Sequence, residues 1–294
     1  MALPKRILLA TDFSDNACNA EAAAVAWAAR AGAKLHWIHA LESAPTLVPY
    51  EPEFSGYVES VRAEVASKLA ARSGAARKEG IEGSTHVGEA PPAQAISEWA
   101  RSIEADLVVV GAHGRPGVAH WVVGSVAERT VRLADCDVLT VRGDGASALP
   151  KVIVVGYDFS EPAEAALSRA ADLARSFGAR LVVVHALDIG VPFTTAYEVD
   201  IPGELVDALR GGAWSRLEER VKRLADDGDV EVEPVVAPES ARKALVAAAE
   251  RQGAELIVTG SHGRSGIPRL LLGSVAEATL RHAPCSVLTV KPRS

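Results

Sequence analysis

The sequence predicts an α/β chain built as two doubly wound domains, each with five parallel strands and helices on both faces of the sheet. Three observations carry this. Short apolar runs rich in Val, Ile and Leu alternate with long Ala-rich amphipathic stretches, the pattern of parallel strands joined by crossover helices. The whole alternation occurs twice. Asp12 and Asp158 are 146 residues apart, as are His39 and His185, whereas Gly111 and Gly260 are 149 apart, so the second copy carries a net three extra residues between His185 and Gly260. Finally, the 294 residues divide at the Gly-, Ser- and Pro-containing stretch 143–150 into halves of ordinary domain size, placing the domains at 1–146 and 147–294.

The elements follow in order. In the first half the runs Arg6 to Ala10, Lys34 to His39, Glu82 to Val87, Asp106 to Gly111 and Asp137 to Arg142 are short, bounded by Gly, Asp or Pro, and read as strands buried on both faces. Between them Asn16 to Ala31, Val58 to Glu79, Pro91 to Ile103 and Ser125 to Ala134 are long enough for helices. The second half repeats the order. Its strands are Lys151 to Gly156, Arg180 to His185, Val230 to Val236, Glu255 to Gly260 and Ser286 to Lys291, and its helices are Pro162 to Phe177, Glu204 to Ala225, Glu239 to Arg251 and Ser274 to His282. Segments 43–56 and 189–203 break the rhythm with Pro, Gly and aromatic residues and read as loops, either over a site or as plain surface connections.

Composition narrows the function. A net charge of -7 lacks the broad basic face that a nucleic-acid backbone requires. Three cysteines, Cys18, Cys136 and Cys285, are too few for a disulfide framework and read as reduced thiols. No apolar run approaches the roughly 20 residues of a membrane span, and the N-terminus carries no signal-peptide pattern. The expectation is a cytoplasmic protein with neither membrane nor nucleic acid as partner.

The repeated motif carries the chemistry. Gly111-Ala-His-Gly-Arg-Pro-Gly and Gly260-Ser-His-Gly-Arg-Ser-Gly each lead to a Gly-Ser-Val-Ala-Glu helix start at Gly124 and Gly273. A phosphate chain needs close backbone N–H groups, a loop without obstructing side chains and the positive end of a helix. Gly111, Gly114 and Gly124 with Ser125 can supply these, as can Gly260, Gly263 and Gly273 with Ser274. Around them Arg115, Arg129 and Arg132 against Glu128, and Arg264, Arg269 and Arg281 against Glu277, each leave 3 - 1 = +2. Plainer readings also fit. Ser125-Val-Ala-Glu128 and Ser274-Val-Ala-Glu277 match a capping box, and glycines after a strand are common in tight turns. Asp12 and Asp158 end the first strand of each half, where a carboxylate can accept from ribose hydroxyls or a base amine, or can cap the next helix. His113 and His262 lie where they can orient the loop or touch phosphate, and His39 with His185 form a second repeated pair. No His or Cys spacing suits a metal site.

Asp12-Phe-Ser after the first strand, His39-Ala after the second, and a G-x-x-G, nine residues, then Gly-Ser after the fourth resemble the universal stress protein family, in its ATP-binding branch, once per half. The resemblance implies a Rossmann-like sheet of order 3-2-1-4-5. It also implies that Asp12 and the backbone of Ala40 hold an adenosine, that Gly111 and Gly114 line its phosphates, and that Gly124, Ser125 and Val126 meet ribose and phosphate. The second-half matches are Asp158, Ala186, Gly260, Gly263, Gly273, Ser274 and Val275, with Thr11, Val110, His113, Arg115, His262 and Arg264 beside these sets. Family members commonly dimerise through their last strands. The implied partners are therefore adenine nucleotide, the other domain of the same chain, and a second chain in a homodimer. Two departures separate the halves, Thr11 against Tyr157 and Gly88 against Ala237, so equal affinity is not implied. The expected activity is binding of ATP, with or without Mg2+, by a stress-response regulator with little or no hydrolysis. A ligand-free scaffold of the same fold and a weak ATPase are the competing expectations.

Overall fold

A computed structural model describes residues 3–41, 52–112, 123–143, 149–187, 203–226, 228, 230–262 and 272–292. The chain divides into two compact units, Leu3–Leu149 and Pro150–Pro292, called domains 1 and 2 below.

Domain 1 contains β1 (Arg6–Ala10), α1 (Asp15–Ala31), β2 (Lys34–Ala40), α2 (Pro52–Lys78), β3 (Thr85–Gly88), α3 (Pro92–Ser102), β4 (Leu107–Gly111), α4 (Ser125–Leu133) and β5 (Asp137–Val141). All neighbouring strands are parallel, in the order β3-β2-β1-β4-β5. Domain 2 contains β6 (Val152–Gly156), α5 (Glu161–Phe177), β7 (Arg180–Ala186), α6 (Gly203–Asp226), β8 (Val232–Ala237), α7 (Ala241–Gln252), β9 (Leu256–Gly260), α8 (Ser274–His282) and β10 (Ser286–Val290). Its parallel order, β8-β7-β6-β9-β10, is the same 3-2-1-4-5 arrangement. The alternation of short apolar runs with Ala-rich stretches therefore reads out as the α/β fold it predicts. Central strands are closed to water on both faces. Ile7, Leu8 and Leu9 of β1 and Ile153, Val154 and Val155 of β6 are fully buried, which is why their sequence shows no alternation.

Two element bounds differ from expectation by three residues or more. α2 begins at Pro52, inside the segment read as a loop, because proline fits the first helical position, where its missing N–H would have had no partner. β3 is shorter than the run from Glu82, being confined to Thr85–Gly88. The remaining loop residues 42–51 and 188–202 lie outside the described residues. The register also narrows the place of the three extra residues. Ala40 pairs with Gly88 and Ala186 with Ala237, so the offset grows from 186 - 40 = 146 to 237 - 88 = 149 before β8 ends.

Register positions the site. Leu9 pairs with Trp37 and Val109, and Val155 pairs with Val183 and Val258. Asp12, Ala40 and Gly111 thus emerge side by side at the carboxyl ends of β1, β2 and β4, as do Asp158, Ala186 and Gly260 in domain 2. The strand order reverses between β1 and β4, and between β6 and β9, and such a switch point opens a crevice at the strand ends.

Candidate functional site

Each crevice begins at the turn that ends the first strand. Thr11 N–H still donates to Ile38 O at 3.0 Å, and Tyr157 N–H to Val184 O at 2.9 Å. The chain then bends sharply, with Phe13 at φ 62° and Phe159 at φ 63°, a left-handed conformation costly for a side chain that is not glycine. Hydrogen bonds hold the bend. Asp12 Oδ1 accepts from Ser14 N–H at 3.0 Å and from its Oγ–H at 2.6 Å, and Asp158 Oδ1 accepts from Ser160 at 3.0 and 2.5 Å. The serines, not the aspartates, are the helix caps, since Ser14 Oγ accepts from Ala17 N–H and Ser160 Oγ from Ala163 N–H. Capping by Asp12 or Asp158, one of the two sequence readings, is corrected in this way. Each aspartate braces the cap through its Oδ1.

The histidines His39 and His185 brace the same turn from behind. His39 Nδ1 lies 2.8 Å from Thr11 O, and His185 Nδ1 lies 2.8 Å from Tyr157 O. A carbonyl only accepts, so Nδ1 carries the proton in both rings. The phenylalanines pack on them, Phe13 stacked on His39 at 4.9 Å and Phe159 tilted on His185 at 4.8 Å. Sequence reasoning gave both histidines no settled role and passed over both phenylalanines. The repeated Asp-Phe-Ser, with its invariant offset of 146, was the signal that could have found them.

Across the crevice stands the start of α4 or α8. Gly124, in extended conformation, is the N-cap of α4, and Gly273 is that of α8; neither helix has a side-chain cap. The capping boxes expected at Ser125 and Ser274 are therefore absent. Each serine occupies the first helical position, one residue too late to cap, and Glu128 and Glu277 turn instead to Arg132 at 2.9 Å and Arg281 at 3.1 Å. Gly124 N–H donates to Ala112 O at 2.7 Å, and Gly273 N–H to Ser261 O at 2.8 Å. The next three N–H groups, of Ser125 to Ala127 and Ser274 to Ala276, have no helical partner and stand at the positive end of the helix dipole. That is the geometry of an anion site.

Of the expected site residues, Thr11, Asp12, Ala40, Val110, Gly111, Gly124, Ser125 and Val126 all line one cavity of about 750 Å³ in domain 1. Asp158, Ala186, Gly260, His262, Gly273, Ser274 and Val275 line another of about 290 Å³ in domain 2. His113, Gly114, Arg115, Gly263 and Arg264 lie outside the described residues. His262 Nδ1 is 2.9 Å from Ser261 Oγ, and its buried Nε2 has no partner among the described residues, leaving one polar atom for a ligand at the second crevice. Gly260 answers a packing need as well, since a Cβ there would come within 3.0 Å of Pro162 O at the start of α5.

The site also recruits residues that the motifs do not mark. In domain 1, Val61, Glu64, Val65 and Lys68 of α2 and Pro92 and Ile96 of α3 complete the wall. Glu64 and Lys68 pair at 2.6 Å, and the Lys68 ammonium and Arg72 guanidinium lie 5.8 and 5.5 Å from the Phe13 ring. In domain 2 the wall is Ala241 and Leu245 of α7, with nothing from α6 among its lining residues. There Tyr157, 7% exposed, donates its hydroxyl to Glu164 Oε2 at 2.7 Å, and Arg220 of α6 grips the same carboxylate. Burial, and then the bond to Glu164, push the Tyr157 phenol up to about 12. Burial opposes ionisation of Glu164, but hydrogen bonds from Arg220 and Tyr157 outweigh it and hold its carboxyl below the ordinary value. No three of His, Cys, Asp and Glu come together as a metal set among the described residues. Among them, too, no helix is long and apolar enough to cross a membrane.

Fold and site together define a class: a tandem α/β protein with one strand-end crevice per domain, each facing an uncapped helix start. The profile of the Universal stress protein family matches residues 4–142 and again 150–291, and the chain belongs to that family as a tandem pair of its domains. A universal stress protein of Mycobacterium tuberculosis is 34% identical over 195 residues, covering 65% of this chain and 63% of that relative, so the match spans less than two thirds of its length. A universal stress protein of Methanocaldococcus jannaschii is 32% identical over 147 residues, 49% of this chain and 83% of its own. The crystal structure of a universal stress protein from Archaeoglobus fulgidus superimposes with a TM-score of 0.68 over 98% of both chains at 22% identity, a likeness of fold.

Proposed function

We propose that each crevice binds an adenine nucleotide, ATP first among them, and that the protein acts in the cytoplasm as a nucleotide-dependent regulator of stress adaptation with little or no hydrolysis. One observation carries the reading. In both domains an uncapped helix start, whose first three N–H groups have no helical partner, lies across a crevice from the carboxylate that follows the first strand. Phosphates fit the first feature by charge and hydrogen bonding, and hydroxyls or an amine of the nucleoside fit the second. Domain 1's cavity lies within the roughly 300–1,000 Å³ usual for small-molecule sites. Hydrolysis would need a positioned base and metal ions on the phosphates. His39 and His185, the paired histidines among the described residues, spend Nδ1 on bracing the turn. The cytoplasmic reading draws on three cysteines that form no disulfide. Cys136 is held as the inert thiol, its value pushed to about 12 by burial and by the neighbouring Asp137.

A scaffold that needs its glycines only for tight turns draws support from Gly260, whose close approach to Pro162 is a packing constraint. Calorimetric titration of nucleotide-stripped protein with Mg-ATP, repeated on a Gly124→Val, Gly273→Val double variant, separates the two. Heat of binding in the parent and none in the variant is the expected result. A parent that gives no heat and no thermal shift would leave the scaffold standing.

A further inference from the structure

The two crevices share their phosphate end and differ at the other. Asp12 and Asp158, Ala40 and Ala186, and the α4 and α8 starts line both cavities in matching positions. An anion is drawn to the helix start, so the rest of a bound ligand runs towards the ends of β1 and β2, or of β6 and β7. In domain 1 that side stays open as a lobe lined by Phe13, Leu41, Val61, Glu64, Val65 and Lys68. In domain 2 none of the corresponding side chains reaches the cavity. The Tyr157 ring, standing where domain 1 has Thr11, packs edge-on against Phe159 at 4.9 Å and is tied to α5 and α6 through Glu164 and Arg220. Arg216 lies over the Phe159 ring, 4.2 Å from its centre. Thr11 cannot span that distance, and Cys18, which stands at the position of Glu164 by the same offset of 146, offers no carboxylate.

We propose that Tyr157 is a size-selecting residue, so that the two sites take different ligand classes: domain 2 an unmodified adenine mononucleotide, and domain 1 also nucleotides enlarged on the base or ribose. The inference rests on the reading that both crevices hold an adenine nucleotide. The cavity volumes, about 750 against 290 Å³, set the scale of the difference, and the ordered Tyr157–Glu164–Arg220 bridge gives its cause. The apolar walls of the domain 1 lobe, Leu41, Val61 and Val65, suit an aromatic or aliphatic substituent, and Lys68 suits one with a partial negative charge.

The test is calorimetric titration of the full chain with two probes, ATP and ATP carrying a benzyl group on the adenine amine. The expected stoichiometry is two for ATP and one for the benzyl compound. In Tyr157→Thr, which places the domain 1 residue in domain 2, the count for the benzyl compound should rise from one to two. A gain of binding cannot come from misfolding. Two sites for both probes in the parent, or a benzyl count left at one by Tyr157→Thr, would overturn the inference while leaving nucleotide binding intact. Absence of binding by ATP itself would overturn the functional reading and this inference together.

Discussion

Domains 1 and 2 repeat the same sheet, the same left-handed phenylalanine, the same histidine brace and the same uncapped helix start, yet their cavities measure about 750 and 290 Å³. The lesson is that the shared motif builds the same helix-start end in both crevices, whereas the side chains lining the other end differ between them. One methyl group illustrates how closely the two copies trade space. A Cβ on Gly88 would meet Ala95 Cβ at 2.8 Å, and a Cβ on Gly156 would meet Leu245 Cδ1 at 3.0 Å. Domain 1 accordingly carries its alanine at Ala10 and its glycine at Gly88, and domain 2 carries Gly156 and Ala237. Leu245, packed against Gly156, lines the second crevice.

The comparison can be broken most directly at the helix starts. Gly124→Val and Gly273→Val, made singly, should each remove one nucleotide of the two, weakening that site at least tenfold, about 1.4 kcal/mol, and leaving the other unchanged. Titration of the two variants checks this, and loss of both sites from either change would mean that the crevices do not act separately.

Next in size is the histidine brace. His39→Ala and His185→Ala each strand a carbonyl and remove a ring contact, with an expected loss of roughly 1–3 kcal/mol, greater in domain 2 because His185 is buried and His39 is only half-buried. Urea unfolding, read separately on each variant, measures the difference, and an equal loss would contradict the burial argument.

The caps come third. Ser14→Ala and Ser160→Ala should cost about 1 kcal/mol each, while Ser125→Ala and Ser274→Ala should change stability by less than about 0.5 kcal/mol, since neither caps its helix. A Ser125 variant as damaging as the Ser14 variant would restore the capping box that the geometry removes.

The smallest effect is alkaline. Tyr157 holds its proton more tightly when folded, so its stabilising contribution is complete below the ordinary value of 10 and is lost as pH rises through about 12. Domain 1 has Thr11 there and lacks this dependence. A phenolate absorbance titration should show one late-titrating tyrosine that vanishes in Tyr157→Phe, and a parent curve identical to that of the variant would remove Tyr157 from the buried bridge.

Much of this architecture was legible in the sequence because it depends on local pattern. Runs such as Ile7-Leu-Leu and Ile153-Val-Val state burial on both faces, and the repeat doubles every observation, so both sheets and the residues at their carboxyl ends could be placed without coordinates. Where two local rules competed, the sequence could not choose. Asp12 and Ser14 both suit a cap, and only the path of the backbone through Phe13 gives the cap to Ser14; Ser125 fits a capping box until Gly124 is seen to be the N-cap and Ser125 the first helical residue. The crevice volumes lay furthest from reach. Tyr157 is next to Asp158 in the chain, but its consequence depends on Glu164 and on Arg220, residues 56 apart that fold alone brings together. Strand, turn and glycine spacing follow from neighbouring residues; caps, tautomers and cavity size follow from which distant side chains share a space, and that was decided by the tertiary structure.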